Sequence, residues 1–158
     1  MSGVINSAGS KSGEIGTTEL DYEEGEWTPA PNNTVSGPSD GFRGKYTKIG
    51  NQVHIQYNFS QIGYSSGSDA LQISGLPFTA LAGFDQYYTT GGTYLVDISS
   101  DAGHIYWFLN GGTKIMYWKE SRENNAASNM TVDRLSSVDG NGVGTSYVRG
   151  EFTYLTAE

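Results

Sequence analysis

The sequence predicts an all-β protein, an antiparallel β-sandwich or jelly roll that follows a flexible N-terminal arm. The chain of 158 residues is rich in glycine (22) and tyrosine (11) and has few stretches of helical composition. Aromatic and β-branched residues fit a pleated, half-buried surface, and glycine supplies the turns between strands. The length suits one domain, so we divide the chain into an arm, residues 1–20, and a β domain, residues 21–158.

Alternation of apolar and polar residues is clearest in residues 53–59, which indicates a strand with one buried face. Gly50-Asn51 is a favourable hairpin pair that joins this strand to residues 45–49. A second tight turn is expected at residues 110–112, and residues 29–41 are expected to form a loop. About eight short strands suit a sandwich or jelly roll. The others are expected at residues 70–74, 93–98, 104–109, 114–119, 129–132 and 147–155.

The arm is rich in glycine and serine and cannot bury enough apolar surface to order itself. It is therefore flexible or ordered by a partner. Its isolated apolar residues are candidate anchors in a groove of that partner: Val4, Ile5, Ile15 and Leu20.

The formal net charge of -8 is concentrated at one end of the chain. One short, flexible-looking stretch without Lys or Arg carries Glu14, Glu19, Asp21, Glu23, Glu24 and Glu26. Phosphate binding requires a basic surface, so nucleic acid is not expected as a partner. The acidic stretch either keeps the chain soluble or seeks a basic protein surface.

Residues that could carry catalysis are sparse, and we predict that the protein is not an enzyme. The chain lacks cysteine, and its two histidines, His54 and His104, are expected to be ordinary surface or edge residues. The sequence contains no G-x-S-x-G elbow. Its carboxylates either lie in the flexible-looking stretch or sit scattered beside turns. We therefore name no catalytic residue.

Metal ions, cofactors and membranes are not expected either. Asp139-Gly140-Asn141-Gly142 resembles the start of a calcium loop but lacks the later acidic ligand, so a glycine-rich hairpin turn is the favoured interpretation. Two histidines without cysteine argue against zinc. No stretch is apolar and long enough to span a bilayer, and the N-terminus lacks the apolar core of a signal peptide.

The aromatic residues are more numerous than a small core needs. Packing on strand faces, contacts at subunit interfaces and stacking on glycans are the three interpretations that we keep open. The residues concerned are Trp27, Trp107, Trp118 and the pair Tyr87 and Tyr88, which lies in a stretch that resembles a polar loop.

Four segments, in order, resemble a structural module of tailed-phage virion proteins. They are LDYEEGEWTP (20–29), GKYTKIGNQV (44–53), ISGLPF (73–78) and VRGEFTYL (148–155). The resemblance extends over nearly the whole chain from residue 20, and Glu26 is a departure from the small or neutral residue expected there. It implies a jelly-roll-like β domain that is trimeric and displayed on the virion surface after assembly in the host cytoplasm.

The resemblance leaves the location on the virion open, because such modules occur at fibre tips and in short separate proteins. A chain that begins with Met and has no repetitive shaft favours a capsid decoration or cement protein. Its expected partners are the major capsid protein or another virion protein, and further copies of itself. The alternative is a tail or head fibre module that binds a host receptor, with a cell-surface glycan as one candidate.

Overall fold

The computed structural model describes residues 21–31, 34–83, 86–88, 93–98, 104–121 and 127–157. These residues form twelve β-strands and one 3-10 turn, Val132–Arg134, and no α-helix is found among them. The strands are β1 Tyr22–Trp27, β2 Ala30–Pro31, β3 Val35–Ser36, β4 Phe42–Ile49, β5 Gln52–Tyr64, β6 Gln72–Ser74, β7 Gln86–Tyr88, β8 Tyr94–Val96, β9 His104–Leu109, β10 Ile115–Ser121, β11 Ser128–Asn129 and β12 Ser146–Leu155.

The first sheet has the strand order β1-β4-β5-β12-β8, with β3 paired to β5, and every pairing is antiparallel. Its centre is β5, whose buried residues alternate with more exposed ones as the sequence predicts. The predicted hairpin at Gly50-Asn51 joins β4 to β5, and Gly50 adopts a φ of 58° there. This left-handed conformation is the reason that the turn uses glycine.

The second sheet has the order β2-β6-β10-β9-β7, with β11 paired to β10, and it is also antiparallel. The predicted turn at residues 110–112 joins β9 to β10, and the N–H of Thr113 donates to the carbonyl of Asn110. Both central strands alternate buried and partly exposed residues. The second sheet therefore also has one face in the core and one face outside.

The core lies between the two sheets and consists largely of aromatic rings. The Tyr57 ring meets the Trp107 ring edge-on, with centroids 4.8 Å apart. The ring centroids of Phe59 and Trp118 are 5.9 Å apart, and those of Phe152 and Trp107 are 5.8 Å apart. These contacts join β5 and β12 of the first sheet to β9 and β10 of the second. The predicted antiparallel β-sandwich is thus confirmed, whereas the trimer stays a prediction.

Several boundaries differ from the sequence-based predictions. Residues 22–27, part of the acidic stretch that looked flexible, form the edge strand β1, because every one of them has a partner on β4. The predicted loop at residues 29–41 contains the short strands β2 and β3. The strand expected at residues 129–132 ends early, since Val132 already belongs to the 3-10 turn.

Trp27 explains why β1 is held in place despite its charge. Its indole lies against Gly44 on β4, where an added Cβ would come within 2.1 Å of the indole nitrogen. Trp27 itself is 7 % exposed. A residue without a side chain is therefore required opposite the ring, and burial of the ring fixes the acidic strand to the body.

Ser146 makes buried hydrogen bonds at the point where the pairing of β12 with β5 shifts register. The side chain is fully buried, and its hydroxyl donates to the carbonyl of Asp97 at 2.9 Å. The same hydroxyl accepts the N–H of Ser136 at 2.7 Å. One side chain thereby ties the ends of β8 and β12 to the segment that follows the 3-10 turn.

Candidate binding surfaces

The three tryptophans that were candidates for interface or glycan contacts lie in the core. Trp27, Trp107 and Trp118 are 7 %, 3 % and 1 % exposed. The interface and glycan interpretations are therefore wrong for these residues, and packing on the inner strand faces is correct. Alternation is the physical reason, because Trp107 and Trp118 face each other in the β9–β10 register on the inner side.

Tyr87 and Tyr88 do not lie in a loop, because their backbone forms β7 at the edge of the second sheet. Tyr87 pairs with Phe108 and Tyr88 with Trp107. Their side chains lie outside the described residues. The same holds for the arm anchors expected in residues 1–20, which are Val4, Ile5, Ile15 and Leu20.

His54 lies on the exposed face of β5, as the sequence predicts. Its Nδ1 is 3.2 Å from the hydroxyl of Thr153, and its Nε2 is 3.6 Å from a carboxylate oxygen of Glu151. The imidazole is 42 % exposed and the Glu151 side chain 48 %. Both neighbours of β5 pair with it through antiparallel ladders, which use the backbone N–H groups at this point. The N–H groups of β5 beside His54, Thr153 and Glu151 are thus engaged in the sheet and do not converge on a point where an oxyanion could be held.

The loop that begins at Asp139 is a hydrogen-bonded turn, as expected. One carboxylate oxygen of Asp139 accepts the N–H groups of Asn141 at 2.8 Å and Val143 at 3.0 Å. These two bonds hold the pKa of Asp139 below its ordinary value of 3.8. Within the described ranges, no group of three or more His, Asp or Glu side chains could hold a metal ion.

The outer face of the second sheet carries aromatic residues that sequence reasoning missed. Tyr106, Phe108 and Tyr117 alternate with the buried tryptophans and are partly exposed. The rings of Phe108 and Tyr117 are 6.2 Å apart, and the ammonium group of Lys119 lies 4.9 Å from the centre of the Phe108 ring. Both strands have aromatic residues on both faces, so alternation alone could not show which rings point outward.

The outer face of the first sheet combines charges with exposed apolar residues. Tyr22 and Ile49 pair across β1 and β4, are 52 % and 49 % exposed, and together form what we call the apolar corner. It lies at the start of β1, next to the point where the chain emerges from residues 1–20. Tyrosine is among the residue types enriched at protein–protein interfaces.

Beyond the apolar corner, β1 carries acidic side chains on both of its faces, with Glu24 and Glu26 on the side of Tyr22 and Glu23 on the side of Trp27. The carboxylates of Glu24 and Glu23 accept the phenolic O–H groups of Tyr22 and Tyr46, each at 2.6 Å. These hydrogen bonds to negative groups raise the pKa of both tyrosines. Asp21 is paired with Lys48, whose Nζ is 2.5 Å from its carboxylate. Asp21 and Glu23 thus have partners on β4, and Glu24 has a partner within β1.

The outer face of the first sheet also has two shallow depressions, one of about 380 Å³ over β1, β4 and β5 and, beside it toward β8, a second one of about 340 Å³. The second contains Tyr94, which is 60 % exposed and pairs with Arg149 across β8 and β12. We call it the Tyr94 depression. It is lined by Gln56, Tyr57, Tyr94, Arg149, Gly150 and Glu151.

The fold and these surfaces define a β-sandwich with two broad outer faces, one largely aromatic and the other charged with exposed apolar ends. Comparisons of the chain with protein families, with curated proteins and with solved structures find no match. In the part of the chain that the structure describes, no helix has the length and apolar character to cross a membrane.

Proposed function

We propose that this chain is a structural protein of a phage virion, a capsid decoration or cement protein that binds the head through its arm and its β domain. The apolar corner is the observation that carries the proposal. Tyr22 and Ile49 leave about half of their surface exposed, directly beside the point where residues 1–20 join the body. A partner that holds the arm close to residue 20 would therefore also lie near the corner.

The four phage-like segments support the same proposal. Trp27, in the first segment, covers Gly44, in the second, so these two segments form one structural unit. The closing segment supplies β12, which lies beside β5 in the centre of the first sheet. Copies linked in a trimer would gain avidity for repeated sites on a head, because later contacts become intramolecular.

Sedimentation of the protein with phage heads that lack it tests this function. The full chain should co-sediment with the heads, and deletion of residues 1–19 should abolish the association. The double substitution Tyr22→Ser and Ile49→Ser should weaken it, whereas Tyr94→Ser, at a similarly exposed tyrosine at the opposite edge of the sheet, should not. Undiminished binding after the deletion would refute the arm as anchor, and no binding by the full chain would refute the decoration function.

A fibre module that binds a host receptor is the second candidate. The Tyr94 depression favours it, because an exposed aromatic ring beside hydrogen-bonding side chains suits a carbohydrate receptor. Adsorption of the labelled protein to host cells would support this candidate. Failure to adsorb to host cells, together with binding to heads, would exclude the fibre module and support the decoration function.

A further inference from the structure

We propose that the Tyr94 depression binds a neutral hexopyranose ring of a surface glycan. A pyranose has an apolar face of C–H bonds and a rim of hydroxyl groups. A site for it therefore needs an exposed aromatic ring beside planar polar side chains with both donors and acceptors. The Tyr94 depression provides both on neighbouring strands.

Tyr94 supplies the aromatic surface. It is 60 % exposed, more than Tyr22 or Ile49 of the apolar corner. The chain gains nothing in its own core from so exposed a ring, since Leu95 is the residue of β8 that packs against the core. The ring is thus free to stack on the apolar face of a sugar.

Arg149 and Glu151 supply polar groups that are already held in place. Arg149 donates from Nε to the side-chain oxygen of Asn58 at 2.8 Å, and its guanidinium lies 5.5 Å from the centre of the Tyr147 ring. Glu151 accepts a hydrogen bond from the side-chain amide of Gln56 at 3.3 Å. Side chains fixed by such contacts lose little further freedom when they bind a ligand.

The charges in the depression indicate a neutral ligand. Arg149 brings one positive charge and Glu151 one negative charge to the same lining. Hydroxyl groups can donate to the carboxylate and accept from the guanidinium at once. The carboxylate of a uronic acid would be attracted by Arg149 and repelled by Glu151 at once, so this lining offers no net electrostatic gain that would offset the cost of removing that charge from water.

The site does not depend on where the chain sits on a virion. Heads can be bound through the apolar corner while the Tyr94 depression, at the opposite edge of the same sheet, stays accessible. Loss of head binding and loss of sugar binding are therefore separate results, and either proposal can fail alone.

The test is an NMR titration of the isotope-labelled full chain with glucose, galactose, mannose and glucuronic acid at millimolar concentrations. At least one neutral sugar should shift the backbone amide signals of Tyr94, Gly150 and Glu151. Tyr94→Ala should weaken that binding about tenfold. Tyr22→Ala, at a tyrosine of similar exposure on the same face, is the matched control and should bind as the unaltered chain does.

The same titration can overturn the proposal in three ways. No shift of the Tyr94, Gly150 and Glu151 signals with any neutral sugar would refute it. Equal weakening by Tyr94→Ala and Tyr22→Ala would show that binding is not at this depression. Preferential binding of glucuronic acid would refute the inference about charge.

Discussion

Ser146 shows how much one buried hydroxyl can determine. It has no exposed surface, and it satisfies both the N–H of Ser136 and the carbonyl of Asp97. Hydrogen bonds to backbone groups at a register shift hold segments that the regular ladder cannot hold. The position looks unremarkable in the sequence, because serine is common in this chain.

Ser146→Ala should lower the free energy of unfolding by about 1–3 kcal/mol, because it leaves the partly buried N–H of Ser136 without its acceptor. Urea unfolding followed by tryptophan fluorescence measures the change. Ser39→Ala, at an exposed serine in a turn, is the control and should change stability by less than about 0.5 kcal/mol. Equal stability of the Ser146→Ala variant and the unaltered chain would show that the hydrogen bonds of the Ser146 hydroxyl contribute nothing to stability.

The turn that begins at Asp139 should depend on pH. Its pKa lies below 3.8 because the ionised carboxylate accepts two backbone N–H groups. A carboxylate whose pKa is lower in the folded state stabilises the fold at pH values above its ordinary pKa. That stabilisation is lost as the pH falls through the pKa of the folded state. The turn should therefore loosen only in acid below pH 3.8.

The carboxyl carbon signal of Asp139 in an NMR pH titration should report this low pKa directly. Asp139→Asn keeps an acceptor oxygen in place and should preserve the turn while it removes this titration. Asp139→Ala should lose the turn at every pH, seen as faster amide exchange at Val143. Titration of Asp139 at or above 3.8 would contradict the assignment.

At the scale of elements, β1 is an acidic strand, and one aromatic ring anchors it to the core. Trp27 is the residue of β1 that reaches the core, and Gly44 leaves room for its ring. The strand has no neighbour other than β4 within the described residues. Its attachment thus depends on the β4 ladder, on this ring and on the side-chain bonds from Tyr46 and Lys48 to Glu23 and Asp21.

Gly44→Ala should destabilise the protein by about 1–3 kcal/mol, because the new methyl group would overlap the Trp27 indole. Gly140→Ala is the matched control, since a Cβ there meets nothing within 4 Å. Thermal unfolding compares the two variants, and amide exchange along β1 should rise only in the first. Equal stability of the two variants would mean that the ring can move aside at no cost.

At the scale of the whole molecule, the subunit number is the prediction that the fold leaves open. The phage resemblance implies a trimer, and the partly exposed rings of Tyr106, Phe108 and Tyr117 give the body a second surface that a neighbouring subunit could cover. Light scattering of the purified chain at micromolar concentration should give three times the 17.0 kDa mass of the chain. A monomeric mass would refute the trimer in its simple form.

The sequence predicted the sandwich and its central strands because alternation in β5 and glycine in the hairpins are local signals. It did not predict β1, since the tie between Trp27 and Gly44 joins residues that are distant in the chain. It also left open a surface position for three tryptophans that lie in the core. In β9 and β10, tryptophans alternate with tyrosine and phenylalanine, so only the partner strand determines which rings are inside. Tyr94 was missed because nothing in its neighbourhood marks exposure.

The carboxylates of β1 also affect how neighbouring molecules meet when they are crowded. A sheet edge offers backbone groups on which a strand of another molecule can add, and repetition of that step produces fibrils. Two such edges approaching each other would bring Glu23, Glu24 and Glu26 against the same residues of the other copy. Their mutual repulsion opposes this polymerisation. We therefore expect crowded copies to remain separate folded units rather than merge into a continuous sheet.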